Sequence, residues 1–175
     1  TPLRPATPYG AAKVALFRAY DELLDRTAVS GAWARIFFLY GPGEPEARLL
    51  ASVIRSLLAG EPALCTHGEQ RRDYLYVGDV ADALLALRAS DGTGAVNLGS
   101  GEAPPIRDLV LAAARRVGRE ELVRFGALPS PADEAPLVQA EVGRLVGEVG
   151  WHTRHGLERG LDRTIEHWRG RAERP

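Results

Sequence analysis

A single cysteine, Cys65, stands in a chain of 175 residues. One thiol closes no internal disulfide and frames no cysteine-based metal site, so it reads as a small buried hydrophobe. An excess of charge is missing too: 22 Lys and Arg balance 23 Asp and Glu, for a formal net charge of -1. Nothing in that balance suggests a basic stripe for nucleic acid or a polybasic patch for a membrane surface. The basic tail, residues 169–175, reads as a solvated, fraying terminus. No apolar run reaches the roughly 18 residues needed to cross a bilayer. No secretory leader pattern is present, which makes a cytoplasmic location the default expectation. Among the four histidines, His152 and His155 have no second ligand pair with which to complete a metal site. A chain that opens on Thr1 rather than Met and starts a helix within nine residues reads as the second part of something longer.

What is present is an alternation of helices and short apolar runs. Thr7 caps a first helix, and Pro8 fits its first position, where the missing N–H costs nothing. That helix, residues 9–25, carries one apolar stripe through Val14, Phe17 and Leu24 and another through Leu16, Tyr20 and Leu23. Two apolar sides call for two partners, its own sheet and a second subunit. Residues 32–40, AWARIFFLY, form a nearly continuous apolar run that suits one strand buried on both faces of a parallel sheet. Helical spacing returns over 46–59, and residues 71–77 alternate as a strand. A helix follows with Asp79 and Asp82 near its positive end. Residues 95–101 read as a strand and turn, and 104–118 as a helix entered by prolines and left by glycine. A strand over 122–128, a loop over 129–136 and helices over 140–150 and 156–170 complete the chain. Strands alternating with helices give an α/β fold with a mainly parallel sheet.

Tyr9 and Lys13 raise the question of chemistry. Their i,i+4 spacing places them one turn apart on one helix face. A free phenol, with a pKa of about 10, is too weak a base at neutral pH. A cation within about 4–6 Å favours the phenolate, and so does the positive end of a helix. Gly10, Ala11 and Ala12 leave room for a ligand to lie against the helix. The plain alternatives are an exposed helix-start tyrosine and a solvated lysine.

Several segments together resemble the NAD-dependent epimerase/dehydratase family, the extended branch of the short-chain dehydrogenases/reductases. YGAAK matches its Tyr-x-x-x-Lys, and ARIFFLYGPGE is similar to its L-R-x-x-N-x-Y-G-P-G segment. RRDYLYVGDVADALL, VNLGSGE and GWHTRHGLERGLDRTIEHW follow in the family's order and spacing, from residue 7 to residue 168. The resemblance implies the C-terminal part of a Rossmann-type parallel sheet plus a small α/β substrate-binding domain. Residues 1–45 would end the cofactor domain and 46–175 would be mainly substrate-binding, with segments near 72–100 returning to the Rossmann part.

The same resemblance implies NAD or NADP as cofactor, a nucleotide-diphospho-sugar as substrate, and a homodimer through the Tyr9–Lys13 helix. Tyr9 would be the catalytic acid/base, with Lys13 lowering its pKa and holding the nicotinamide ribose. Tyr9, Lys13 and Ile36 would contact the cofactor, and Phe38, Arg72 and Asn97 the substrate. An arginine at 72 suits a diphosphate, because its planar fork matches phosphate oxygens; the alternative is an ion pair with Asp73 or Asp79. Asn97 is also a plain turn-former at a strand end. Two positions depart from the family pattern: its substrate asparagine is Phe38 here, and its late-loop arginine is Pro131. Both changes remove polar contacts from the expected pocket, and Phe38 reads equally as a core strand residue.

The family's glycine-rich turn, which seats a pyrophosphate on a helix N-terminus, does not occur in these 175 residues. Residues 99–102, GSGE, lack its spacing. The expectation is therefore a fragment of about half an enzyme, inactive by itself. The competing readings are a non-catalytic binding or scaffolding relic and one half of a split enzyme.

Overall fold

The computed structural model describes residues 3–131 and 133–172. In chain order the elements are α1 (Pro8–Asp25), β1 (Ala32–Ile36), β2 (Phe38–Tyr40), α2 (Leu49–Leu58), β3 (Ala63–Leu64), β4 (Arg71–Arg72), β5 (Tyr74–Tyr76) and α3 (Val77–Ala89). Then come β6 (Gly94–Leu98), α4 (Ile106–Val117), β7 (Val123–Arg124), β8 (Leu137–Val138), α5 (Gly143–Gly147) and α6 (Gly156–Ala172). The strands pair in parallel, β1 with β6, β2 with β5, β3 with β7 and β4 with β8. The expected α/β class with parallel pairing is therefore the observed one. No helix among the described residues is long and apolar enough to cross a membrane.

α1 starts as its sequence predicts, with the Thr7 hydroxyl accepting from the Gly10 N–H at 3.1 Å and proline in the first turn. Its sheet-facing stripe differs from the expected one. The Phe17 and Tyr20 rings lie 5.5 and 5.6 Å from Trp33, and the Tyr20 hydroxyl donates to the Ala32 carbonyl. Tyr20 thus belongs with Val14, Phe17 and Leu24, because its long phenol reaches around the helix to β1. Leu16 and Leu23 are left 54% and 57% exposed on the other side.

Two expected strands are each divided. The run 32–40 changes partner at Phe37, whose N–H makes the last link to β6 through the Leu98 carbonyl at 3.0 Å. β6 then bends away at Gly99, so β2 continues against β5 instead. The run 71–77 is divided at Asp73 into β4 and β5. Asp73 is fully buried, and its carboxylate accepts four hydrogen bonds. Ser100 gives two, from N–H and hydroxyl, both at 2.7 Å. The Gly101 N–H gives a third at 2.9 Å and the Ala140 N–H a fourth at 3.1 Å. The helix expected over 140–150 shrinks to α5, because Ala140 is drawn to Asp73 and the Glu141 carboxylate caps the Gly143 N–H. β3 and β8, two residues each, carried no sequence signal and exist through their partners alone.

Helices α2, α4 and α6 pack together over Tyr40 and Tyr76, with Leu50, Ile54, Leu161 and Trp168 at the centre. Cys65 is buried beside them, as expected of a lone thiol. α3 and Trp151 close a separate cluster over β5 and β6. The Trp151 indole donates to Asp82 at 2.8 Å, while Asp79, fully buried, pairs with His155 Nδ1 at 2.6 Å. His155 is thereby engaged within the fold. In the tail, residues 173–175 lie outside the described residues.

α6 comes close to the sheet at Gly160, where the Tyr40 hydroxyl donates to the Leu157 carbonyl at 3.2 Å. A Cβ on Gly160 would collide with the Tyr40 phenol oxygen and lie 2.8 Å from its Cζ. Gly160→Ala is therefore expected to lose about 1–3 kcal/mol by overpacking despite alanine's better helix propensity, measurable by urea unfolding. Asp73→Asn keeps the shape but turns an amide NH2 toward N–H donors. It is expected to cost about 3 kcal/mol and to lower the melting temperature by roughly 10 °C in thermal denaturation.

Candidate active site

The first turn of α1, the ends of β1 and β2 and the segment entering α2 border one cleft of about 430 Å³. Its lining includes Tyr9, Ile36, Phe38, Glu44, Arg48 and Tyr74. That volume lies within the roughly 300–1,000 Å³ typical of small-molecule sites. Tyr9 is 74% exposed at its mouth. The Lys13 ammonium stands 5.6 Å from the centre of the Tyr9 ring, on the same helix face, without lining the cleft itself. Ile36, the last residue of β1, is exposed into the cleft beside them. Gly10 does not leave the free space expected of it: a side chain there would meet Thr7 and Pro5 at 3.2 and 3.3 Å.

Phe38 opens β2 and is exposed rather than a core residue. Its ring centre lies 5.4 Å from that of Tyr74 and 5.8 Å from the Arg72 guanidinium carbon. Arg72 is itself buried, so it joins the cleft only from behind Phe38. Neither of the ion pairs considered for it forms. Adjacent strand residues point to opposite sides, so Asp73 turns to Ser100 and Ala140 while Arg72 reaches the 129–136 loop. There its Nη2 donates to Glu134 at 2.8 Å, and its Nη1 donates to the Arg71 carbonyl at 2.9 Å. Pro131, the departure from the family pattern, is exposed, and Glu134 is the loop residue that faces the arginine. Asn97 stays apart from the cleft. It lies within β6, opposite Arg35, and its amide donates to the Glu141 carbonyl at 3.0 Å.

Among the cleft residues that escaped the sequence reading, three carry titratable or charged groups: Glu44, Arg48 and Tyr74. The available signal was the turn Gly41-Pro42-Gly43, which brings the chain back at the carboxyl end of a parallel strand, where α/β ligands bind. Gly43, at φ +82°, makes that reversal without strain. Burial pushes the Glu44 carboxyl up to about 7, with the backbone N–H groups of Gly41 and Ala51 and the Arg48 charge acting in the opposite direction. Its Oε1 is enclosed without a hydrogen-bond partner among the described residues. Burial, reinforced by the Glu44 charge, pushes the Tyr74 phenol up to about 12 and keeps it protonated.

A second, smaller cleft of about 270 Å³ lies between β5, α6 and the turn after β6, lined by Tyr40, Tyr76, Asp79 and Ser100 among others. Its polar groups are committed to internal bonds, Ser100 to Asp73 and Asp79 to His155. No group of three or more metal-ligating side chains occurs among the described residues.

The profile of the NAD dependent epimerase/dehydratase family matches residues 1–99. Among curated proteins, the chain is 30% identical over 180 residues to a UDP-glucose 4-epimerase of Mycolicibacterium smegmatis, covering 98% of this chain and 56% of that protein. Among solved structures, a UDP-glucose 4-epimerase of Thermotoga maritima with UDP-glucose superposes with a TM-score of 0.88 at 25% identity, over 97% of this chain and 56% of that one. A UDP-glucose 4-epimerase of Thermus thermophilus in complex with NAD gives 0.83 at 27% identity, over 95% of this chain and 55% of that one. The chain thus spans about half the length of the relatives it matches. With its parallel α/β fold and the family profile over more than half its residues, the chain belongs to the NAD dependent epimerase/dehydratase family.

Proposed function

We propose that this chain carries the Tyr–Lys pair and the sugar-binding side of an NAD(P)-dependent nucleotide-sugar epimerase, dehydratase or reductase. The observation that carries the reading is Tyr9 at the mouth of a cleft walled by Ile36 and Phe38, with Lys13 over its ring. Removing hydride from a carbinol carbon requires its hydroxyl to lose a proton, so a base must reach that oxygen. Tyr9 is the group placed to take that proton, and Lys13, one turn away, stabilises the phenolate that does so. The nicotinamide cofactor, when bound, accepts the hydride and returns it.

The exposed faces of Tyr9 and Ile36 fit the nicotinamide end of such a cofactor. The glycine-containing turn at 99–102 does not fit its pyrophosphate. The N–H groups of Ser100 and Gly101 already donate to Asp73 and are not free to cradle an anion. Arg72 would contact a substrate diphosphate only in competition with Glu134. Asn97, held by Glu141, has weaker support as a substrate contact. The exposed Leu16 and Leu23 stripe supports a homodimer formed through α1.

Joined to a compatible glycine-rich Rossmann half, the chain is expected to turn over a nucleotide sugar. Tyr9→Phe keeps the ring and removes the proton acceptor, so turnover is expected to fall by about 10²–10⁴-fold. Lys13→Met is expected to lower turnover as well, measured by steady-state kinetics, because the cation that stabilises the phenolate is gone. Normal turnover by the Tyr9→Phe protein would overturn the assignment. For the 175 residues alone, calorimetric titration with NAD is expected to show no micromolar constant. About 8 kcal/mol is needed for that affinity, and the one or two hydrogen bonds that Tyr9 and Lys13 offer supply roughly 1–3 kcal/mol each.

A further inference from the structure

Arg48 is the one basic side chain among the described residues that line the Tyr9 cleft. It is exposed there, and among the described residues its guanidinium forms no ion pair. The carboxylates near it in sequence are engaged elsewhere. Glu46 pairs with Arg55 at 3.0 Å, and Glu44 lies under the backbone N–H groups of Gly41 and Ala51. Arg48 also stands where local chemistry disfavours it. It is the N-cap of α2 and makes no side-chain capping bond, although that position favours Ser, Thr, Asp or Asn. A cation at the N-terminus of a helix also opposes the partial positive charge of the helix end. Departures from local preference of this kind collect at functional sites.

The other arginine of the region is committed. Arg72 is buried, its Nη2 donates to Glu134 at 2.8 Å, and its Nη1 donates to the Arg71 carbonyl at 2.9 Å. A ligand entering the cleft therefore meets Arg48 as the available cation. Its other walls include Ile36 and Phe38, and Phe38 offers no polar atom to a neutral hydroxyl.

We propose that Arg48 is a specificity-determining residue that binds a carboxylate on the hexose ring, so that the substrate class is a nucleotide-diphospho-sugar of the uronic acid type. This rests on the reading of the Tyr9 cleft as the sugar site. In that reading the reacting carbinol reaches Tyr9, so the hexose lies in the cleft that Arg48 borders. The diphosphate is carried by the anomeric carbon and leads away from the reacting carbon. The anion beside Arg48 is then a substituent of the ring itself. A guanidinium suits a carboxylate, because its planar fork donates two parallel N–H bonds to the two oxygens. Burial raises the Glu44 carboxyl, which lessens the negative charge that an acidic sugar meets in the cleft.

The test is calorimetric titration of the 175-residue chain and its Arg48→Gln and Arg48→Lys variants with UDP, UDP-glucose and UDP-glucuronic acid. The two sugars differ only in a hydroxymethyl group against a carboxylate. The wild-type chain is expected to bind UDP-glucuronic acid about tenfold more tightly than UDP-glucose, the scale of one charge-assisted contact. Arg48→Gln is expected to lose that preference while binding UDP and UDP-glucose as the wild type does. Arg48→Lys, which keeps the charge but not the fork, is expected to keep part of it. Because Arg48 is exposed, the preference is also expected to shrink as ionic strength rises.

Equal affinity of the wild type for the two sugars, with UDP bound, would overturn the acidic-sugar class and leave the cleft reading standing. A preference that survives Arg48→Gln would assign the carboxylate to another residue and overturn the role of Arg48. Equal weakening of UDP and UDP-glucuronic acid by Arg48→Gln would put Arg48 on the diphosphate and overturn the proposal in the same way. Absence of UDP binding by every protein would overturn the cleft reading itself, and the role of Arg48 with it.

Discussion

The carboxylate of Asp73 gathers segments of chain that lie far apart in sequence. It ends β4, receives both backbone N–H groups of the turn at Ser100 and Gly101, and receives the N–H of Ala140 just after β8. A buried carboxylate is costly unless each oxygen is satisfied by well-placed donors. Here four donors meet two oxygens, drawn from the turn after β6 and from Ala140. The close of β6, the start of the segment leading to α4 and the run into α5 are therefore set relative to one another by a single side chain. The same bonds occupy the glycine-containing turn at 99–102, which could have been mistaken for a phosphate cradle.

The candidate site depends on the same geometry at one remove. Because β6 turns aside at Gly99 to reach Asp73, the apolar run through Phe37 loses its first partner and continues against β5. That change of partner places Ile36 and Phe38, two residues apart, at adjoining ends of different strand pairs. Tyr74, paired in register with Phe38, completes the aromatic wall. The short path Gly41-Pro42-Gly43 then returns the chain over this wall, carrying Glu44 and Arg48 to a cleft whose other side is the first turn of α1. The cleft is thus made where strands change partners, as expected for ligand sites in open α/β sheets.

Charge inside the fold is handled by pairing rather than exclusion. Asp79 is buried but held by His155, and Asp82 takes the Trp151 indole together with Arg154. Arg72 is buried but held by Glu134. Glu44 departs from this pattern: its Oε1 is enclosed without a partner among the described residues, and burial outweighs the backbone N–H groups of Gly41 and Ala51 and raises its carboxyl. Glu44 lines the cleft at whose mouth the phenol of Tyr9 is exposed.

The sequence by itself determined whatever depends on local periodicity and capping. Thr7 and Pro8 start α1, the i,i+4 spacing sets Tyr9 and Lys13 on one face, and the apolar runs mark α2, α3, α4 and α6 with parallel strands between them. These signals are local because a helix or a strand reports its period within its own residues. Tertiary structure alone decided where the strands divide, because Asp73 and Phe37 acquire their roles only from residues 25 or more positions away. It also decided the partner of Arg72, the separation of Asn97 from the cleft, and the presence of Glu44 and Tyr74 within it. Burial and pairing at those positions are properties of the assembled neighbours, and no single segment of the chain carries them.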